Sequence, residues 1–499
     1  MKARVFALLV IYYQKIRNNT SSRLVQFVIL NLVLTLYNVI APILKLDQIN
    51  ERVPLFYYMP WGNLQLVPKN YIFLVPSINL VLIGTGVLLY FVAKKYQFQY
   101  LDMLSIFTSS ISNVLLTLSL YRSIYISSTP ESISAGSAAI QFISPFFIAL
   151  GLAYLLTPKF ISVLTERGVV TNPLLHRHPG MLLAKPSARG GGFIFYLVFL
   201  AVSVVTVGFT KELTGIYLVA GILATLGLLD DFQNTNAKSR LKFIENPVLR
   251  LALLYITSYL FILFGISIKY IGNPAGGIFD FNSFSIVINN TPVFFLSVTI
   301  TLLWVVWVLN LLSWSNGIDA QYGGMVGIAL VVISILALRF GSTDIAALNY
   351  SKIALIAAGA AFGITFYTWH PSKIMWGFGA MSVGSIIAAL SILIGSKIAV
   401  SMLVVLLPFI DSAVTIIRRI LNGQNPLKSD RKHLHHLLLD RGWSIKKTAL
   451  FYWATTAVFG ILGLITADKN MALVIISIGG TLAFIIASLN ISAHRKARK

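Results

Sequence analysis

Fourteen stretches of this chain are apolar over 14 to 23 residues, and none carries Asp, Glu, Lys or Arg near its middle. They fall at 25–45, 71–93, 101–121, 138–158, 191–210, 214–229, 248–266, 293–312, 323–340, 352–370, 379–395, 397–410, 448–466 and 471–491. An apolar run of about 20 residues crosses the hydrocarbon of a bilayer as a helix. There the backbone must satisfy its own hydrogen bonds, so helices and closed barrels are the only spanning forms. Barrel strands alternate apolar and polar side chains over about 10 residues, a pattern these runs lack. Charged residues make up 11% of the 499, against roughly 25% in soluble domains, and the mean hydropathy is +0.81. A water-soluble enzyme is excluded. The expected fold class is an all-α polytopic membrane protein with about 14 transmembrane helices.

The net charge is +23, from 39 Lys and Arg against 16 Asp and Glu. In a soluble chain that balance would point to nucleic acid. In a membrane protein it sets orientation, because basic loops stay on the cytoplasmic side. With the N-terminus inside, the inner segments of a fourteen-span arrangement hold 29 of the 39 basic residues. Both termini are therefore expected in the cytoplasm and the protein in the cell membrane, with no nucleic acid among its partners. The start MKARVFALLVIYYQKIRNN has basic flanks but no small-residue cleavage site, and reads as a retained lead-in. Residues 267–292, with Gly- and Asn-rich turns, predict a short extracytoplasmic β-hairpin. The absence of cysteine excludes disulfides, thiolate metal sites and a thiol nucleophile. Ion-coupled transport usually needs an ionisable group at membrane depth, so the uncharged span centres weigh against a transporter.

With so few carboxylates, their placement carries information. Asp230 and Asp231 end one run in LGLLDDFQ, and Asp319 follows another in NLLSWSNGIDAQYGG. Adjacent carboxylates at a membrane surface attract a hard divalent cation such as Mg²⁺, although alone the pair also suits a solvated loop start. Asp411, Asp430 and Asp440 map to the long segment 411–447, and all seven histidines (His176, His178, His370, His433, His435, His436 and His494) map to segments placed inside. KPSARGGGF sets Arg189 and three glycines at the mouth of a run. Backbone amides and a guanidinium there suit a phosphate, or the glycines serve close packing. In DRKHLHHLLLDRG, His433, His435 and His436 lie within four residues of one another beside Arg431 and Lys432. Phosphate contact is a better functional reading of them than zinc, which would want a fourth ligand.

Taken together, these segments resemble the polyprenyl-phosphate N-acetylhexosamine-1-phosphate transferases. That family includes the enzymes that start teichoic-acid and O-antigen lipid intermediates, and the phospho-N-acetylmuramoyl-pentapeptide transferase of peptidoglycan synthesis. The resemblance covers roughly 138–491 and is strongest at KPSARGGG, at GLLDD with Lys242 downstream, and at PFIDSAVTIIRRILNGQNPLKSDRKHLHHLLLDRGWS. The HxHH string is similar to that of the undecaprenyl-phosphate N-acetylglucosamine-1-phosphate transferase branch. The resemblance implies a eleven-helix transferase core over 131–499, preceded by an accessory three-helix segment over 1–130. It implies transfer of N-acetylhexosamine-1-phosphate, by default GlcNAc-1-phosphate, from a UDP-sugar to polyprenyl phosphate with release of UMP. The partners would be a UDP-N-acetylhexosamine, polyprenyl phosphate and the bilayer, with a homodimer left open, and the active site would face the cytoplasm. By the same carry-over Asp230, Asp231 and Asp319 are catalytic. Asp231 and Asp319 would hold Mg²⁺ or Mn²⁺, while Arg189, Lys242, Asn310, His433, His435 and His436 would bind substrate.

The chain departs from the family pattern in two places. Ser313, Asn316 and Ala320 stand at the second Asn, first Asp and last Gly of the family's NxxNxxDGxDG loop. In PSKIMWGFGAM, Phe378 occupies the position of a metal-binding acid. The alternative these departures open is a catalytically impaired relative that binds polyprenyl phosphate or UDP-sugar.

Overall fold

The computed structural model describes residues 27–28, 31–43, 45–47, 49–55, 66–96, 101–127, 135–171, 186–235, 246–273, 277–288, 291–341, 344–394, 398–425 and 431–497. The lead-in at 1–24, His176, His178, Lys185, Lys242 and Asp430 lie outside these residues. The chain divides into two units, Met1–Ser144 and Pro145–Lys499.

In the first unit, helix α1 (Asn31–Ile43) is followed by an antiparallel pair, β1 (Arg52–Pro54) with β2 (Leu66–Pro68). Helices α2 (Leu74–Lys95) and α3 (Leu101–Ser127) come next. Val53 and Val67 of the strands join Ala41, Ile49, Ile72, Val75, Leu120 and Ile124 in one buried cluster. Lipid gives helices no hydrophobic reason to associate, so close packing and interhelical hydrogen bonds must hold them. Amides supply the bonds here. Asn31 Nδ2 donates to Ser110 Oγ at 2.7 Å, Asn113 Nδ2 to Asn31 Oδ1 at 2.5 Å, and Asn38 Nδ2 to Thr117 Oγ1 at 2.9 Å. The unit boundary falls inside α4 (Ala135–Glu166).

The second unit continues through β3 (Val170–Thr171), β4 (Ser187–Arg189), α5 (Gly191–Thr206), α6 (Lys211–Thr235) and α7 (Pro247–Leu263). Two hairpins follow, where one was expected: β5 (Tyr270–Gly272) with β6 (Ile278–Asp280), and β7 (Ile286–Ile288) with β8 (Thr291–Val293). Then come α8 (Phe295–Trp314), α9 (Gln321–Leu338), α10 (Ile345–Thr368), β9 (Ile374–Met375) and α11 (Met381–Leu393). The chain ends with α12 (Ile398–Val404), α13 (Leu406–Leu421), α14 (Leu434–Leu439), α15 (Ile445–Ile465) and α16 (Asp468–Ala497).

The expected count of fourteen spans is wrong. Among the described residues eight helices are long and apolar enough to cross a membrane: α2, α4, α6, α8, α9, α10, α15 and α16. A ninth is reached if α12 and α13, bent by 80° at their junction, count as one. At 1.5 Å per residue the 16 residues of α5 and the 13 of α11 fall short of the roughly 30 Å of hydrocarbon. Their apolarity has another cause. Every residue from Met381 to Ile392 is buried in protein, so α11 is a core helix packed on α6, α8 and α5. Basic and neutral segments alternate along the chain, but where short helices separate them the alternation does not count crossings. It therefore fixes neither terminus. A multi-pass, all-helical membrane protein remains.

Glycines bring the helices together around one turn, Phe378–Ala380. A Cβ at Gly192 of α5 would lie 2.1 Å from the Gly379 carbonyl carbon, and one at Gly227 of α6 would lie 2.2 Å from the Gly379 nitrogen. Gly192 N–H also donates to the Trp376 carbonyl at 3.0 Å. The triple glycine thus serves packing, and the Gly192 amide is already committed within the protein. Gly192→Ala or Gly227→Ala should cost about 1–3 kcal/mol or more through overpacking against backbone, read as a lowered melting temperature in detergent. Gly480→Ala, with nothing within 4 Å of the added carbon, should melt like the parent; equal melting of all three would refute the packing role.

Candidate active site

Asp230 and Asp231 sit in the last turns of α6, where carboxylates oppose the helix dipole and need cations nearby. Neighbouring residues on a helix point about 100° apart, so the two find different partners. Asp231 is fully buried. Its Oδ1 lies 3.6 Å from an Arg189 guanidinium nitrogen and accepts the Phe378 N–H at 3.3 Å. Its Oδ2 is buried and has no hydrogen-bond partner among the described residues. Asp230 is committed on both oxygens. Oδ1 pairs with Arg250 and accepts from Gln233 Nε2 at 3.3 Å, and Oδ2 accepts from Asn234 Nδ2 at 2.8 Å.

Local sequence places the two arginines. Arg189 ends β4, the centre of a three-stranded sheet in which Val170 pairs antiparallel with Ala188 and Met375 pairs parallel with Arg189. Its Nε donates to Thr171 Oγ1. Arg250 lies in the first turn of α7, which starts at Asn246-Pro247. The Asn246 side chain accepts the Val248 N–H at 2.9 Å, and proline at the first helical position needs no partner for its nitrogen.

Asp319 stands on the α8–α9 turn, with Oδ2 2.7 Å from His370 Nδ1 and accepting the Ser372 N–H at 3.2 Å. The next residue, Ala320, has φ 64°, a left-handed conformation costing a β-carbon roughly 1–2 kcal/mol. Trp453 holds it there, Nε1 donating to the Ala320 and Gln321 carbonyls at 3.1 and 3.2 Å. Asp231 and Asp319 therefore grip opposite ends of one segment, 372–378. Asn316 braces that segment by donating to the Gly377 carbonyl at 3.3 Å. Gly377, φ 64°, passes so close to Asp231 that a Cβ there would lie 1.8 Å from Oδ2.

The histidines are buried. His433 Nδ1 lies 3.0 Å from Asp411 Oδ2, whose other oxygen accepts the Leu434 N–H at 2.8 Å. His435 fills the space left by the missing side chain of Gly317, where a Cβ would be 2.2 Å from its Nε2. That contact brings the histidine motif onto the turn carrying Asp319. Among the described residues, neither ring nitrogen of His435 nor Nδ1 of His436 has a hydrogen-bond partner. Burial, then His436 and His433, hold the His435 imidazole well below its usual range. Burial, then Arg431 and His433, push His436 down to about 4. Both shifts favour the uncharged imidazole at pH 7, which can offer or accept hydrogen bonds but is not a cation.

Of the residues singled out in the sequence, Arg189, Asp230 and Asp231 form one cluster. Asp319, His433, His435 and His436 surround the α8–α9 turn. Asn310 turns back on its own helix, donating to the Val306 carbonyl at 2.8 Å, and Lys242 lies outside the described residues. Arg250 was not singled out, and His370 and Asp411 were placed on the inner side but given no partner or role. Asp411 belongs to α13, not to a loop. Arg250 one turn after an Asn-Pro helix start, and His370 ahead of Pro371, were the available signals.

The orphaned Oδ2 of Asp231 beside the Gly377 cradle suits a hard cation. Among the described residues no three of His, Asp and Glu form a ready-made metal cage. Mg²⁺ commonly takes only one or two carboxylates and completes its shell with water and substrate phosphates, so this donor set fits it.

Residues 213–395 match the sequence profile described as "Glycosyl transferase family 4". The match takes in Asp230, Asp231, Arg250, Asp319, His370 and Phe378. The chain is 26% identical over 339 residues to the "Probable undecaprenyl-phosphate N-acetylglucosaminyl 1-phosphate transferase" of Bacillus subtilis, covering 66% of this chain and 87% of that one. It is 24% identical over 334 residues to the "Decaprenyl-phosphate N-acetylglucosaminephosphotransferase" of Mycolicibacterium smegmatis, covering 60% and 78%. A third relative is the "Phospho-N-acetylmuramoyl-pentapeptide-transferase" of Staphylococcus aureus, 23% identical over 334 residues, covering 64% and 96%. Over residues 213–395, which hold the aspartate pair and the segment it grips, the chain is therefore similar to glycosyl transferase family 4.

The buried histidines make stability depend on pH. Below about 6.5 the unfolded chain binds protons on His436 that the folded protein refuses until about 4. Stability should therefore fall as pH drops from 6.5 to 4, by on the order of 3 kcal/mol from this group. His436→Gln should flatten that part of the melting-temperature profile; parallel profiles for variant and parent would exclude the linkage.

Proposed function

We propose that the protein transfers a sugar-1-phosphate from a UDP-sugar to polyprenyl phosphate. A phosphate oxygen of the lipid attacks the β-phosphorus, the bond from that phosphorus to the bridging oxygen breaks, and UMP leaves with the bridging oxygen. The product is a polyprenyl-diphosphate-sugar. N-acetylglucosamine is the sugar we assign, and undecaprenyl phosphate the acceptor, in keeping with the name of the Bacillus subtilis relative. The basic loops favour a site on the cytoplasmic face of the cell membrane.

The observation carrying this reading is Asp231, a fully buried carboxylate with a guanidinium beside one oxygen and, among the described residues, no partner on the other. Phosphoryl transfer is governed by positioning and charge neutralisation more than by covalent chemistry. Arg189 sets a fixed positive charge beside the carboxylate, and Asp319, held by His370 and Ser372, steadies the segment that Asp231 grips. Asp231 with Asp319 would hold Mg²⁺ or Mn²⁺, which when bound neutralises diphosphate charge. The neutral His435 and His436 offer ring nitrogens to a substrate's polar groups. A second reading, a binder that no longer catalyses, is favoured by one feature: Phe378 places a phenyl ring, not an acid, against Arg250.

UMP release separates the two. Purified protein with undecaprenyl phosphate, Mg²⁺ or Mn²⁺ and a panel of UDP-N-acetylhexosamines should form UMP with UDP-GlcNAc. Asp231→Asn keeps the acceptor for the Phe378 N–H yet should lose on the order of a hundred-fold or more in rate with an unchanged melting temperature. Undiminished release by that variant would remove Asp231 from the chemistry, and tight UDP-sugar binding without UMP would establish the non-catalytic reading.

A further inference from the structure

Phe378 is linked to both members of the aspartate pair, directly to Asp231 and through Arg250 to Asp230. Its main-chain N–H donates to Asp231 Oδ1 at 3.3 Å. Its ring lies under Arg250, with the guanidinium carbon 5.0 Å from the ring centroid, and that guanidinium pairs with Asp230 Oδ1. One residue thus spans the pair, by its amide on one side and through a stacked cation on the other.

We propose that Arg250 and Phe378 are a positioning pair, in which the phenyl face holds the guanidinium against Asp230 so that Asp231 alone of the two carboxylates presents an unpartnered oxygen. Three features carry this. Asp230 has partners on both oxygens, which removes it as a free base, while Oδ2 of Asp231 has none. Arg250 occupies the first turn of α7, the positive end of the helix dipole, where a cation is disfavoured, and there it meets Asp230 and the ring. The side chain of Arg250 is still 29% exposed, so the ring, by covering one face of the guanidinium, limits the orientations open to it. A flat aromatic face attracts a guanidinium electrostatically, without adding a negative charge that would compete with Asp230. Phe378→Asp would add that charge, draw Arg250 away and release Asp230.

This role rests on the transferase reading, so its test needs one measurement that does not depend on turnover. Fluorinated phenylalanines carrying one, two or five fluorines at position 378 of the full-length protein weaken the ring's negative face at nearly constant shape. The rate at which phenylglyoxal modifies Arg250, followed by mass spectrometry, should rise stepwise along the series by about three- to ten-fold in total. The kcat of UMP release should fall in the same order, with KM for the UDP-sugar little changed, and Phe378→Asp should fall with it. A modification rate that stays flat along the series overturns the pair. A graded modification rate with a constant kcat overturns its positioning role. If the unsubstituted protein releases no UMP, the transferase reading fails by itself, and the modification series still decides whether the ring holds Arg250.

Discussion

A buried backbone must have its N–H and C=O groups answered, and this requirement organises the site around residues 370–380. The segment runs through the second unit with only two residues of strand, so its polar groups are met one by one from other elements. Ser372 N–H goes to Asp319, the Lys373 carbonyl accepts from Ala188 N–H, and the Trp376 carbonyl from Gly192 N–H. The Gly377 carbonyl accepts from Asn316, Phe378 N–H goes to Asp231, and the Ala380 carbonyl accepts from the Tyr322 hydroxyl at 2.6 Å. Two candidate catalytic carboxylates are therefore hydrogen-bond partners of the fold itself. Positioning them and burying the segment are the same act, and Gly192, Gly227 and Gly377 supply the close approach that it needs.

This shared use explains what could be read from the sequence. Helical membrane character was legible because long apolar runs admit little else. The number of crossings was not, since α11 is as apolar as a span but owes this to burial among other helices. The aspartate pair stood out because carboxylates are scarce in this chain. Of its partners, Arg189 stood out beside its glycines, whereas Arg250 did not: it lies twenty residues along the chain, and nothing local ties it to Asp230. Asp411 and His433 are similarly separated by twenty-two residues and a change of element. The triple glycine had two readings, and the structure selects packing through Gly192. The HxHH string, flanked by Arg431 and Lys432, suggested cationic phosphate contacts. Burial changes the chemistry of those rings, and burial is a tertiary property that adjacent residues do not reveal.

The candidate site has two unlike sides. On one, the carboxyl groups of Asp230 and Asp231 interleave with the guanidinium groups of Arg189 and Arg250. On the other, beside the α8–α9 turn, His435 and His436 present neutral rings with unanswered nitrogens, and His433 is tied to Asp411. A ligand lying between them meets fixed charge at one end and hydrogen-bonding capacity at the other, an asymmetry suited to a molecule that joins a diphosphate to uncharged polar groups.

The uncharged rings also divide the site in its response to dissolved ions. Salt screens exposed charges over about 8–10 Å at physiological strength and acts much less on buried ones. The imidazoles have no charge to screen, and Asp231 is shut away from solvent. The partly exposed side chains of Arg189 and Arg250 are left as the points where ionic strength enters, so the charged side of the candidate site responds to added electrolyte and the histidine side does not.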